Sequence, residues 1–136
     1  MRDEDISSCL HQIFTNVRIK RFIEVRGADR PPFGYEMAPV AFWTGVLTED
    51  SIRKKILAET RTWSYEDRIK FNNASLSLDG NALTVKGKKY SYWNSWFGEL
   101  AILGLKKRGL GEEVLFEKFF EIVTEKGPFS LQVQEL

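Results

Sequence analysis

From Val17 to Arg26 the chain alternates between apolar and polar positions. Val17, Ile19, Ile23 and Val25 fall on one side; Arg18, Lys20, Phe22, Glu24 and Arg26 fall on the other. A period of two over this length predicts a β-strand, Val17–Arg26, with one charged face. Arg21 is the polar residue on the apolar side and reads as structural. Upstream, Ile6, Leu10 and Ile13/Phe14 recur at helical spacing, predicting a helix over Asp5–Phe14 capped by Asp3 or Asp5. Downstream, the run from Gly27 to Pro32 stops the strand, because prolines lack the N–H a ladder needs.

The remainder carries mostly helical patterns. Pro39–Leu47 is apolar and aromatic and reads as a buried short helix or an irregular core segment. A clearer helix opens at Thr48 or Glu49 and runs to about Thr62, with Ile52, Ile56, Leu57 and Trp63 as its stripe. Ser64-Tyr65-Glu66-Asp67 has the form of a capping box and predicts a short helix to about Phe71. Leu76–Gly80 and Leu83–Val85 each alternate around an Asp-Gly signal, which predicts a small hairpin. Ser91–Lys107 gives the strongest helix, with Lys106, Lys107 and Arg108 at its C-terminal end and Gly109 and Gly111 beyond. Glu112-Glu113 opens a last helix to about Lys126, before Gly127-Pro128. The expected class is α+β, mainly helical: one charged strand, a possible small hairpin and four to five helices. Without a linker or repeat, residues 1–136 read as a single unit.

Composition narrows the chemistry. At 136 residues, 43% hydrophobic and 29% charged, the chain suits one folded domain and not a disordered tail. A net charge of +1 argues against a nucleic-acid partner held by a basic surface. The apolar runs fall short of the roughly 20 residues of a membrane helix. The acidic start Met1–Asp5 lacks the form of a signal peptide. One cysteine, Cys9, allows no internal disulfide, and one histidine, His11, no multi-histidine zinc site. A reducing, cytoplasmic setting follows as the simplest expectation. The four tryptophans fall at helical spacings and read as core, and Lys86–Lys89 and Lys106–Arg108 as solvated charges or a complement to a helix dipole.

The charged strand is where chemistry concentrates. Between Val17 and Arg30, five cations face two acids, a local excess of three in a nearly neutral chain. Arg18, Lys20, Glu24 and Arg26 share a face by parity. Several cations around one carboxylate suit a polyanionic substrate held with a divalent metal, and equally the solvent face of an ordinary antiparallel strand.

Specific residues sharpen this. His11–Phe14 followed by Val17-Arg-Ile-Lys-Arg-Phe-Ile-Glu-Val-Arg-Gly-Ala-Asp29 resembles the plant- and proteobacterial-type glutamate–cysteine ligases. The likeness continues through Ala41–Leu47, Trp63–Arg68 and Gly104–Arg108, and in the stretch ending at Gly127. The resemblance implies the C-terminal third of a glutamine-synthetase-like catalytic domain. It implies an ATP-dependent ligase that joins glutamate to cysteine through a γ-glutamyl phosphate, the first step of glutathione synthesis, with Mg2+ as cofactor. The Ile23-Glu-Val-Arg26 core is also similar to a glutamine-synthetase strand. Carried over by position, Glu24 is the metal ligand and Arg26 the catalytic contact to the reacting phosphoryl or carboxylate group. Arg18 and Lys20 are further substrate or phosphate contacts.

Because the family's chains are several times longer, a missing upstream segment or a partner chain is expected to complete the site. A strand with an apolar face also makes a homo-oligomer an expectation. The rival reading is a non-catalytic remnant or a regulatory, protein-interaction module of a split ligase. Nothing in the residues reads the amine acceptor, so an amine other than cysteine stays open.

Overall fold

The computed structural model describes Asp5 and residues 16–19, 21–77 and 79–133. They divide into two compact units, one ending at Arg30 and the other beginning at Pro31. Of the helix expected over Asp5–Phe14, Asp5 is helical and the rest lies outside the described residues. The architecture is α+β and mainly helical, with a small two-stranded antiparallel sheet.

In the first unit the expected strand Val17–Arg26 is not continuous. It is a hairpin of β1 (Val17–Ile19) and β2 (Ile23–Val25), joined by residues 20–22. Val17 pairs with Val25, Arg18 with Glu24 and Ile19 with Ile23. The Arg26 N–H donates to the Asn16 carbonyl at 2.7 Å and extends the ladder by a rung. The chain reverses after three residues, so Arg21 stands exposed in the connection instead of on a strand's apolar side. That side is open: Ile19 is 82% exposed and Ile23 69%.

The second unit is built on helices. Ala38–Thr48 forms α1, a regular helix whose Pro39 sits in the first turn, where no intrahelical N–H is required. Glu49 caps α2 (Asp50–Thr60), accepting from the Ser51 hydroxyl at 2.8 Å. The capping box forms as the sequence predicts: the Ser64 hydroxyl accepts from the Asp67 N–H and the Asp67 carboxylate from the Ser64 N–H, each at 3.0 Å. The helix it opens, α3 (Tyr65–Ser75), runs a turn beyond Phe71. Next come α4 (Tyr90–Arg108), closed by Gly109 at φ 68°, α5 (Val114–Lys126) and the single turn α6 (Phe129–Gln132).

Two apolar clusters hold this unit. In the first, Ala38, Ala41 and Val46 of α1 pack with Ala101 and Leu105 of α4 and Phe116 of α5. Small residues let the backbones of α1 and α4 meet: a Cβ on Gly104 would sit 2.1 Å from the Gly45 carbonyl oxygen. The second cluster gathers Trp63, Val85 and Trp93, with Phe71, Trp96 and Phe97 against them. Trp63 and Trp93 are therefore core, as their spacing predicts, while Trp43 and Trp96 pack half-buried against the first and second cluster.

The small hairpin expected over Leu76–Val85 does not form among the described residues. Asp79 makes a turn, its carboxylate accepting from the Asn81 N–H at 2.8 Å. Leu83 and Lys89 form an isolated antiparallel bridge around a 3-10 turn, Val85–Gly87. Burying Val85 (1% exposed) and Thr84 (2%) outweighs extending a strand pair here. Lys106, Lys107 and Arg108 also do more than complement a dipole. Lys106 pairs with Glu117 at 2.7 Å, and Lys107 donates to the Ser51 hydroxyl at 2.6 Å. Arg108 reaches Glu112 at 2.6 Å and the Thr48 hydroxyl at 2.8 Å, so the triplet ties the end of α4 to its neighbours.

Candidate active site: one face of the hairpin

The residues that carry the candidate chemistry sit on the hairpin. Pairing Val17 with Val25 keeps even-numbered residues of both strands on one side, so Arg18 and Glu24 face each other directly. In a single strand these two would lie roughly 20 Å apart. The Arg18 Nε and Nη2 both lie 2.7 Å from one oxygen, Glu24 Oε2. Neither side chain is fully exposed: Arg18 is 23% accessible and Glu24 34%. Alternation returns Arg26 to the Glu24 side, and Arg26 is half-buried. Lys20, expected on the same face, lies outside the described residues, as do His11 and Cys9.

This face carries two guanidinium groups and one carboxylate: Arg18 pairs with Glu24, and Arg26 lies on the same side by parity. A guanidinium presents its donors in a planar fork that suits carboxylate and phosphate oxygens. Among the described residues, the hairpin face does not by itself fit a divalent metal. Glu24 is the one acid between Val17 and Arg26, and its Oε2 is already held by Arg18. Magnesium takes about six oxygen ligands, of which one carboxylate supplies at most two. Among the described residues no group of three or more histidine, cysteine or acidic side chains could hold a metal ion.

The pairing of Arg18 with Glu24 escapes the strand reading, although opposite charges six apart around a three-residue connection are its signal. Elsewhere, Glu59 accepts from the Trp63 indole at 3.2 Å and also from Lys86. The Lys86 hydrogen bond, more than any other cause, holds the Glu59 carboxyl below its ordinary value. Lys86 adopts φ 54°, an uncommon backbone for a side chain of its kind, so this ion pair anchors a turn. A shallow groove of about 190 Å³ lies between the loop Gly34–Met37 and α5, lined by Tyr35, Val114 and Phe119. It gathers no cluster of reactive groups. Among the described residues no helix is long and apolar enough to cross a membrane.

Comparison with known proteins bears on the hairpin directly. The chain is 32% identical over 126 residues to a chloroplastic glutamate–cysteine ligase of Medicago truncatula, covering 88% of this chain and 23% of that protein. It is 33% identical over 129 residues to glutamate–cysteine ligase A, chloroplastic, of Oryza sativa subsp. indica, covering 90% and 25%. Identity to the chloroplastic ligase of Arabidopsis thaliana is 31% over 119 residues, covering 88% and 23%. The chain thus spans about a quarter of the length of the curated relatives it matches. The sequence profile of glutamate-cysteine ligase family 2 matches residues 1–88, which include the whole hairpin and the helices α1 to α3. With that match across more than half its length, the chain belongs to glutamate-cysteine ligase family 2.

Proposed function

We propose that this chain is the C-terminal part of a glutamine-synthetase-like catalytic domain that makes γ-glutamylcysteine from glutamate, cysteine and ATP. In this reading ATP phosphorylates the γ-carboxylate of glutamate. The amine of cysteine attacks the resulting acyl phosphate, its proton is lost, and inorganic phosphate leaves. Charge accumulates on the transferred phosphoryl group, and fixed cations beside it lower the barrier. Arg26 fills that role and contacts the phosphoryl or carboxylate oxygens, with Lys20 and Arg18 as the other cations expected on its face. Glu24 contributes one carboxylate to Mg2+, whose remaining ligands come from a further segment or a partner chain. The exposed apolar side of the hairpin, with Ile19 and Ile23, is where that segment, partner or a second copy docks. The cytoplasm is the setting this reading keeps, on the single cysteine, while the relatives' names place those proteins in the chloroplast.

The observation that carries the reading is one face holding Arg18, Glu24 and Arg26 inside the segment matched to the family. The test mixes the purified chain with the rest of the Medicago truncatula ligase, made as a separate polypeptide. Magnesium-dependent phosphate release from ATP is then measured with glutamate and cysteine present. Turnover is expected only in the mixture, and Glu24→Gln or Arg26→Ala lowers it about 100-fold or more. Full turnover by both variants sinks the site assignment. A second reading, a non-catalytic or regulatory module of a split ligase, is favoured by one observation: the face's lone carboxylate is engaged by Arg18. Restored turnover that is indifferent to both substitutions would select it.

A further inference from the structure

The groove between the loop Gly34–Met37 and α5 has a fixed shape, an apolar floor and walls of opposite charge. Packing within the chain holds the loop wall. The Tyr35 N–H donates to the Pro32 carbonyl at 3.1 Å, and the Tyr35 ring centre lies 5.8 Å from those of both Phe119 and Phe129, the spacing of packed aromatics. Large apolar side chains nevertheless face water here: Val114 is 66% exposed, Met37 50% and Leu115 44%, with Phe33 at 93% just before the loop. Apolar surface left open in one place marks a site of association. Glu36 stands on the loop wall, its carboxylate accepting from the Gly34 N–H at 2.9 Å. Lys118 stands on the helix wall, one turn from Val114 on the same side of α5. Among the described residues neither Glu36 nor Lys118 forms an ion pair.

We infer that this groove is a self-association surface, on which a second copy of the chain docks across a two-fold axis running along the groove. A two-fold in that direction sets the loop wall of one copy against the α5 wall of the other. Glu36 then meets Lys118 of the partner subunit, and symmetry forms the same pair again on the other side. A partner of single sign would be repelled by one of the two walls, so opposite walls select a copy of this chain. Met37, Val114 and Leu115 fill the centre and the charges lie at the rim, the usual arrangement of a specific interface. At a net charge of +1, two copies repel each other little at long range. The inference is independent of the ligase reading and uses no residue of the hairpin.

The test follows the mass of the full chain by sedimentation velocity from about 5 to about 200 μM, the range of a weak, small interface. Wild type is compared with Glu36→Lys, Lys118→Glu, the exchange Glu36→Lys/Lys118→Glu, Val114→Asp and, as a hairpin control, Ile23→Lys. Wild type is expected to pass from monomer to dimer as its concentration rises. Each single reversal sets like charges together twice and weakens the dimer about 10-fold or more. The exchange restores opposite pairs and brings the dissociation constant back to within about 3-fold of wild type, a coupling that independent surface charges do not show. Val114→Asp, an acid in a helix's first turn, keeps the fold and removes the dimer. Ile23→Lys leaves the dimer intact. Far-UV circular dichroism checks each fold, and recovery in the exchanged pair decides the matter if a single reversal fails to fold. A wild-type chain that stays monomeric throughout overturns the inference. So does a dimer indifferent to both single reversals, or an exchanged pair as weak as either of them. A dimer lost in Ile23→Lys also overturns it, since association then runs through the hairpin.

Discussion

Substituting alanine for Gly104 places one methyl group at the tightest crossing in the molecule. The new Cβ would lie 2.1 Å from the Gly45 carbonyl oxygen, whereas ordinary van der Waals contact begins near 3.4 Å, so about 1.3 Å must be found. The obstacle is backbone and cannot rotate away, so α1 has to retreat from α4. That movement opens the cluster around Ala38, Ala101 and Leu105, all of which are fully buried. Overpacking of this kind costs about 1–3 kcal/mol, and a backbone clash belongs at the upper end. Alanine returns up to about 1 kcal/mol through its better helix propensity. The net loss is about 2 kcal/mol, which for a unit of this size lowers Tm by about 8–16 °C. Far-UV circular dichroism on heating measures it. Gly80→Ala is the control: its Cβ would meet the Ser91 Cβ at 3.5 Å, an ordinary contact, and Tm should stay within about 4 °C. A Gly104→Ala chain that melts within the control's range, or higher, refutes the account of this crossing.

Two further predictions concern local devices. Ser64→Ala removes the hydroxyl half of the capping box, and a loss of about 1 kcal/mol is expected, seen as a Tm lower by about 4–8 °C, while Ser64→Thr stays near wild type. Because the Glu59 carboxyl is held low, chiefly by Lys86 and then by the Trp63 indole, its stabilising effect is full above the unfolded carboxyl value near about 4.3. That effect is lost as pH falls through the lower folded value. The Tm difference between wild type and Glu59→Gln should therefore shrink on going from about pH 6 to about pH 3, and an unchanged difference contradicts it.

The local signals were legible in the sequence because their physics is local. Ser64 and Asp67 find each other within one turn of chain, and Gly109 closes α4 where only a left-handed backbone fits. The hairpin was legible by half. Alternation gave the faces of the residues that pair, Val17–Ile19 and Ile23–Val25, since the pairing of Val17 with Val25 preserves parity, but the reversal between Ile19 and Ile23 carries none of the usual Asn-Gly or Asp-Gly turn chemistry. The Arg18–Glu24 pair therefore had no visible sign in a strand reading that separates the two by six residues. At Leu83–Val85 the opposite happened: turn and alternation signals were present, yet the demand of Trp63 and Trp93 for Val85 decided the conformation. The alternatives for Pro39–Leu47 collapse to one helix because Ala41, Gly45 and Ala101 let two backbones touch, a property of a distant partner segment.

The central claim is that the hairpin face takes part in joining glutamate to cysteine. Product analysis tests it most directly: the chain is mixed with the rest of a relative, and γ-glutamylcysteine is quantified by mass spectrometry beside released phosphate. The account predicts product and phosphate in equal amounts, dependent on ATP, glutamate and cysteine, and reduced about 100-fold by Glu24→Gln while the Ile23 and Val25 amides stay protected. Product formed at the wild-type rate by Glu24→Gln contradicts it, as does a folded mixture that makes none.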